Sequence, residues 1–159
     1  MIASPPIVAY ASSLAGRAVS VQCNRNQSFR DGELGYTLYD SSGTVYPVIY
    51  LPATMCNRLN TLASPQRLTL VDTRKGRTVA QRDAAKIDVP DGTAVDTLIH
   101  EATHILEQST NEARVECDSY RNRWSAVRLF GFSSNMDAAV MRGITVAHES
   151  SPASYLEDC

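Results

Sequence analysis

The chain has almost no lysine. Two lysines stand against 13 arginines, and its 15 basic residues are outweighed by 17 acidic ones, for a net charge of −2. A nucleic-acid binder carries a basic excess or a clustered basic face. The densest basic stretch, Arg74-Lys75-Gly76-Arg77, is short and broken by glycine, so nucleic acid is excluded as a partner. Long apolar runs are missing too: no window approaches the roughly eighteen consecutive apolar residues of a spanning helix. The four cysteines include no Cys-x-x-Cys pair, which argues against a zinc ribbon or a thioredoxin-like redox motif. There is no internal repeat and no low-complexity run. The opening Met1-Ile2-Ala3-Ser4-Pro5-Pro6 lacks the basic n-region and long apolar core of a secretion signal.

What remains is an ordinary globular composition. A chain of 159 residues with 43% hydrophobic content is one domain's worth of protein, expected over residues 1–159. Its N-terminal third reads as strand-rich. Ile7 to Arg17 suits a short helix, and Ala18 to Cys23 alternates apolar and polar as a half-buried strand does. Leu34–Tyr39 and Thr44–Leu51 flank Asp40-Ser41-Ser42-Gly43, a hairpin with turn residues at its centre. Pro47 cannot donate to a ladder, so the second of these strands is expected at an edge, or bulged there. A helix follows from Pro52. Ser64 to Asp91 reads as a long polar loop with one strand at Leu68–Val71.

From Thr93 the pattern is helical. Thr93 with Asp96 resembles a capping box, and Val95, Leu98, Ile99, Ala102, Ile105 and Leu106 recur at helical spacing as far as Glu107–Gln108. Ser109-Thr110-Asn111 supplies cap residues for a second helix with an apolar stripe of Ala113, Cys117, Tyr120, Trp124 and Val127. Gly131 stops it, and Ser134 with Asp137 starts a third helix toward His148. The fold class is therefore α+β, a strand-rich N-terminal third followed by helices.

The first of those helices carries His100-Glu101-Ala102-Thr103-His104, and this HExxH pattern uses two of the three histidines. Side chains at i and i+4 lie one above the other on a helix, so both imidazoles reach one metal ion. Glu101 stands beside that face, placed to take a proton from water without itself being a ligand. A catalytic zinc takes three protein ligands and leaves one position open. Glu112 is the candidate third ligand, with the zinc set being His100, His104 and Glu112. Glu116, one turn further, would accept the free N–H of a ligand histidine. The exchanged assignment, with Glu116 as ligand, stays open, as does a bland one in which Glu112 caps Ser109. His148 is a remaining competitor.

His100-Glu101-x-x-His104 followed by Asn111-Glu112-Ala113-x-x-Glu116 resembles the gluzincin zinc metallopeptidases, whose second motif runs Asn-Glu-Ala-x-x-Asp. The final acid differs, and the gap from His104 to Glu112 is short, so the likeness is to compact zincins. The tail from Pro152 to Cys159 is similar to small bacterial and phage HExxH proteins with paired cysteines. The resemblance implies a small zincin-like domain, its N-terminal strand-rich layer packed on the HExxH helix and the following Glu-bearing helix, with an edge strand above the metal, for which Thr44–Leu51 is the candidate. It also implies hydrolysis of a peptide or protein substrate, with Glu101 as general base and Tyr155, Tyr120 or His148 as transition-state donor.

An even number of scattered cysteines favours two disulfides and an extracytoplasmic or secreted location, with four buried free thiols as the alternative. The expected pairs are Cys23–Cys56, joining a strand end to the helix after the hairpin, and Cys117–Cys159, clamping the chain end to the Glu112 helix. A second function class also fits these features: a disulfide-stapled extracellular or virion-associated binding module whose zinc is structural or inactive.

Overall fold

In the computed structural model, residues 3–24, 34–63, 87–131 and 134–156 are described. Ser4 and the Pro5-Pro6 pair start helix α1, Pro5–Leu14, where missing N–H groups cost nothing because no partner exists in the first turn. It begins and ends earlier than the Ile7–Arg17 expected. Strand β1, Ser20–Asn24, buries Val21 and Cys23 and exposes Ser20 and Gln22, the alternation visible in the sequence. Strands β2, Tyr36–Tyr39, and β3, Val45–Pro52, form the expected hairpin. Asp40 Oδ1 accepts from the backbone N–H groups of Ser42 and Thr44, and Gly43 takes φ 85°.

The sheet order β1-β3-β2 corrects one expectation: Thr44–Leu51 is not an edge. β3 is central, parallel to β1 and antiparallel to β2. Pro47 is accommodated by an irregularity, since the β2–β3 register shifts between Thr37 and Tyr39, and β1 pairing begins only at Val48. A central strand tolerates the missing donor where the ladder is already interrupted. Helix α2, Ala53–Leu62, follows without a loop, and a disulfide joins its Cys56 to Cys23 of β1.

Helix α3, Val89–Glu107, begins one turn before the predicted Thr93 start. Its cap is Asp88, whose carboxylate accepts from Asp91 N–H while the Asp91 carboxylate accepts from Asp88 N–H. Arg58 of α2 donates to both carboxylates at 2.9 Å, tying the helix start to α2. Thr93 instead donates its hydroxyl to Val89 O, and Asp96 lies inside the helix. The predicted loop is therefore too long at its end, and its strand at Leu68–Val71 falls outside the described residues.

Helix α4, Glu112–Leu129, is capped by Asn111, whose side chain accepts from Arg114 N–H. Its buried stripe is rotated from the predicted one: Val115, Cys117, Ala126 and Val127 turn inward, while Trp124 is 46% exposed. Helix α5, Ser134–Glu149, crosses α3 with Gly92 and Gly143 at the contact, and the short α6, Ala153–Leu156, returns over α4. Apolar side chains of α1, the inward faces of β1 and β3, and α2, α3, α4 and α5 share one core that includes Ile7, Val21, Ile49, Leu59, Leu98, Val127 and Ile144. The α+β class is thus observed. No helix among the described residues is long and apolar enough to cross a membrane. No described cysteine is a free thiol, but the expected Cys117–Cys159 pair ends on a residue outside the described set.

Candidate metal centre

Helical spacing puts Asp96, His100 and His104 on one stripe of α3, successive members separated by about one turn, or 6 Å. The helix ends at Gln108, in the left-handed region at φ 51°, and the chain reverses within three residues into α4. That tight reversal brings Glu112, the first residue of α4, over the end of α3. Its Oε2 lies 3.1 Å from His100 Nε2 and 3.4 Å from His104 Nε2, and the two Nε2 atoms are 3.1 Å apart. These three residues form a group that can hold a metal ion. Bonds of about 2.0–2.1 Å to a tetrahedral ion place its ligands about 3.3–3.4 Å apart, close to the observed triangle.

The outer contacts decide what those nitrogens present. His104 Nδ1 lies 2.7 Å from the carbonyl of Ser109, which only accepts, so the ring donates there. His100 Nδ1 lies 2.9 Å from Glu116 Oε2 and donates to that carboxylate. With each proton fixed on Nδ1, a neutral ring turns a lone pair inward at Nε2. Two imidazole lone pairs and one carboxylate oxygen then converge on a single point. Such a cluster needs a cation or an extra proton. In the absence of a metal the proton goes to His100: burial disfavours its charge, but hydrogen bonds to Glu112 and Glu116 raise it to about 10. Burial likewise opposes ionisation of Glu112, yet its hydrogen bonds to His100 and His104 hold it down to about 2. Of the two acids left open by the sequence, Glu112 is in the cluster and Glu116 stands behind it. The Ser109 hydroxyl accepts from Asn111 N–H and does not pair with Glu112.

Glu116 is buried and accepts from two sides. His148 Nδ1, on α5, lies 2.6 Å from its Oε1, and the Ser151 hydroxyl is 3.3 Å from the same oxygen. Burial pushes its pKa up, and the hydrogen bonds to His100 and His148 outweigh that and keep it below the usual carboxylate range. His148 in turn stacks on Tyr120 at 3.6 Å, and the Arg123 guanidinium sits 3.5 Å over the Tyr120 ring. His148 and Tyr120 are therefore occupied behind the cluster and do not line the cleft in front of it. Tyr155 of α6 does line it, its ring nearly parallel to that of His100 at 6.4 Å.

That cleft has a volume of about 650 Å³. Buried Glu101 lines its floor on α3, next to the histidine pair. β2 forms one wall, and among the described residues it is a sheet edge. Gly35 permits this approach: a Cβ there would lie 2.8 Å from Thr97 Cγ2 and 3.3 Å from Glu101 Cγ. The strand above the cluster is thus β2, not Thr44–Leu51.

No family model, curated protein or solved structure matches this chain.

Sequence reasoning missed Asp96 and the Glu116 contact of His148. Asp96 was legible as the i−4 neighbour of His100, a signal masked by reading it as a cap. His148 carried no spacing signal, because the helix crossing that brings it to Glu116 is tertiary.

Proposed function

We propose that this chain is a small zinc-dependent metallopeptidase, a single compact zincin-like domain of the gluzincin kind. The observation that carries the reading is the convergence of two Nδ1-protonated histidines and Glu112 on one point, with Glu101 beside them. Two histidines and one carboxylate make a three-ligand set suited to catalytic zinc, which keeps a fourth position open. Held there, zinc would act as a Lewis acid on the scissile carbonyl and lower the pKa of a water to about 7.

The chain's own groups supply the rest. Glu101 removes a proton from the attacking water and delivers it to the leaving amine, so that it serves as base and then acid. Tyr155 is our candidate donor to the carbonyl oxygen as negative charge develops, because it faces the cleft while Tyr120 and His148 are engaged behind it. β2, an edge of the sheet among the described residues, binds an extended substrate through main-chain hydrogen bonds. The Cys23–Cys56 bridge supports an extracytoplasmic location, where such bonds persist.

That bridge equally suits a stapled binding module with an inert zinc. Metal analysis of the wild type and Glu101→Gln, with peptide hydrolysis measured for both, separates the two. A peptidase keeps one zinc in each and loses hydrolysis only in the variant. Zinc with no hydrolysis in either form supports the module, and no zinc in either overturns both.

A further inference from the structure

The cleft is rich in acid. Its described lining carries four carboxylates, Asp96, Glu101, Glu112 and Glu116, and no lysine or arginine. A divalent ion offsets two of those charges. Three of the acids have an assigned place: Glu112 in the ligand cluster, Glu116 between His100 and His148, and Glu101 beside the ligands as base. Asp96 is left over.

Asp96 sits one turn, about 6 Å, before His100 on the same face of α3. It is half-buried against the cleft, and among the described residues no hydrogen bond or ion pair holds it. Burial, then the charge of Glu116, pushes its carboxyl up to about 7, while His100 and Arg123 act on it only through space. Arg123 is engaged over the ring of Tyr120. A carboxyl withdrawn from water without a partner disfavours its own charge until an occupant of the cavity supplies one.

The wall of the cleft brings an occupant past this point. Gly35 sets β2 against Thr97 and Glu101, the residues that flank the turn after Asp96, and Tyr36 and Tyr39 of the strand also line the cavity. An extended peptide advances about 3.3 Å per residue. A chain laid along β2 with its scissile bond at the ligand cluster therefore carries a side chain past Asp96 one or two residues away. Tyr36 is stacked on Tyr50, whereas the exposed ring of Tyr39 favours the same class of group, since an aromatic face attracts cations.

We propose that Asp96 is a specificity-determining residue, selecting peptides with an arginine or lysine one or two residues from the scissile bond by pairing with the cation. The position of the bond rests on the peptidase reading. The charge pairing is a claim about binding and stands without cleavage.

The test uses the zinc-loaded Glu101→Gln protein and hexapeptide pairs that differ only by arginine or citrulline at one position, scanned through the sequence. Citrulline keeps the shape and removes the charge. By calorimetry, arginine at one of the positions should bind at least about tenfold tighter than citrulline, the scale of one charge-assisted pair. Adding Asp96→Asn should bring that ratio to within about twofold, and Asp96→Glu should restore part of it. A ratio near one at every position of the parent protein overturns the proposal, and so does a preference that survives Asp96→Asn. If Asp96→Asn loses zinc, Asp96→Ser replaces it, and the parent ratio still decides. Discrimination by Glu101→Gln with no cleavage of any pair by the wild type leaves this proposal standing and removes the peptidase reading alone.

Discussion

The backbones of Gly92 and Gly143 meet where α3 crosses α5: a Cβ added to Gly92 would lie 2.4 Å from Gly143 Cα, and one added to Gly143 would lie 2.6 Å from Gly92 Cα. Backbone on both sides leaves no flexible side chain to move aside. The close crossing sets the path of α5, whose next turns deliver His148 to Glu116. Glycine is costly inside a helix, by about 0.5–1 kcal/mol relative to alanine, so its use at both contact points answers a packing demand.

Gly143→Ala should therefore destabilise despite its better helix propensity, by about 1–3 kcal/mol as overpacked contacts do. Because the crossing also places His148, zinc affinity should fall with it. Thermal unfolding and a chelator competition measure the two effects, and a stabilised Gly143→Ala protein would contradict the crossing.

Removing a ligand should remove the metal. His100→Ala or His104→Ala should abolish stoichiometric zinc, whereas Glu116→Gln should weaken it by about 10–100-fold, the usual effect of losing a ligand's hydrogen-bond partner. His148→Ala should act in the same direction through Glu116, with His148→Asn restoring part of the loss by supplying an N–H near Nδ1. Full affinity in a Glu116→Gln protein would show that the His100–Glu116 contact does not orient the ring.

The pKa values of the cluster set two pH responses. His100 is raised to about 10 in the metal-free protein, so zinc binding at neutral pH displaces a proton from it. About one proton should be released per zinc, and affinity should climb with pH up to about 10. Stability of the metal-free protein should follow the opposite course on the basic side. A raised histidine stabilises fully below its unfolded value of 6.5, and this contribution is lost as pH rises through about 10. Glu112, lowered to about 2, stabilises above its unfolded value of 4.5, and its contribution is lost as pH falls through about 2. Denaturant midpoints of the metal-free protein across pH 2–10 give the profile; for these groups it is highest between 4.5 and 6.5.

Much of the α+β framework was legible because it rests on local signals. Alternation at Val19, Val21 and Cys23, turn residues at Asp40–Gly43 and helical spacing around the HExxH pattern all specify their elements without distant partners. Tertiary choices were not legible. Pro47 marked a disturbed ladder, but only pairing on both sides shows β3 to be central. The true cap of α3 lies at Asp88 and Asp91, where Arg58 from another helix reinforces it, and Thr93 offered a locally adequate imitation. The cluster itself followed the same division. The pair His100 and His104 comes from helix periodicity, Glu112 from a short reversal, and the His148 contact from a crossing that no spacing rule encodes.

Gly35→Ala should separate substrate handling from metal binding. Its methyl would press on Thr97 Cγ2 at 2.8 Å and Leu51 Cδ2 at 2.9 Å, lifting the start of β2 from α3. Zinc stoichiometry should stay at one while kcat/KM for peptides falls by about tenfold or more, since small displacements of a positioned substrate cost rate steeply. Loss of zinc in this variant would place β2 among the supports of the ligands.

Replacing both Cys23 and Cys56 by serine should lower stability by about 3–4 kcal/mol in the chain-entropy account, for a bridge spanning 33 residues. The melting temperature should fall on the order of 10 °C. An unchanged melting temperature would make the bridge dispensable.

That bridge encloses Gly35, β2 and β3, whereas the three residues that can hold a metal, His100, His104 and Glu112, all lie outside its loop. On the peptidase reading, the strand wall of the cleft and the metal group therefore answer to different agents. Acid and chelators act on the second; thiols act on the first. Carried into a reducing compartment, the protein would keep its metal group and Asp96 on an intact helical body while the strand beside them slackened, so that what the helices hold would outlast the wall that frames it.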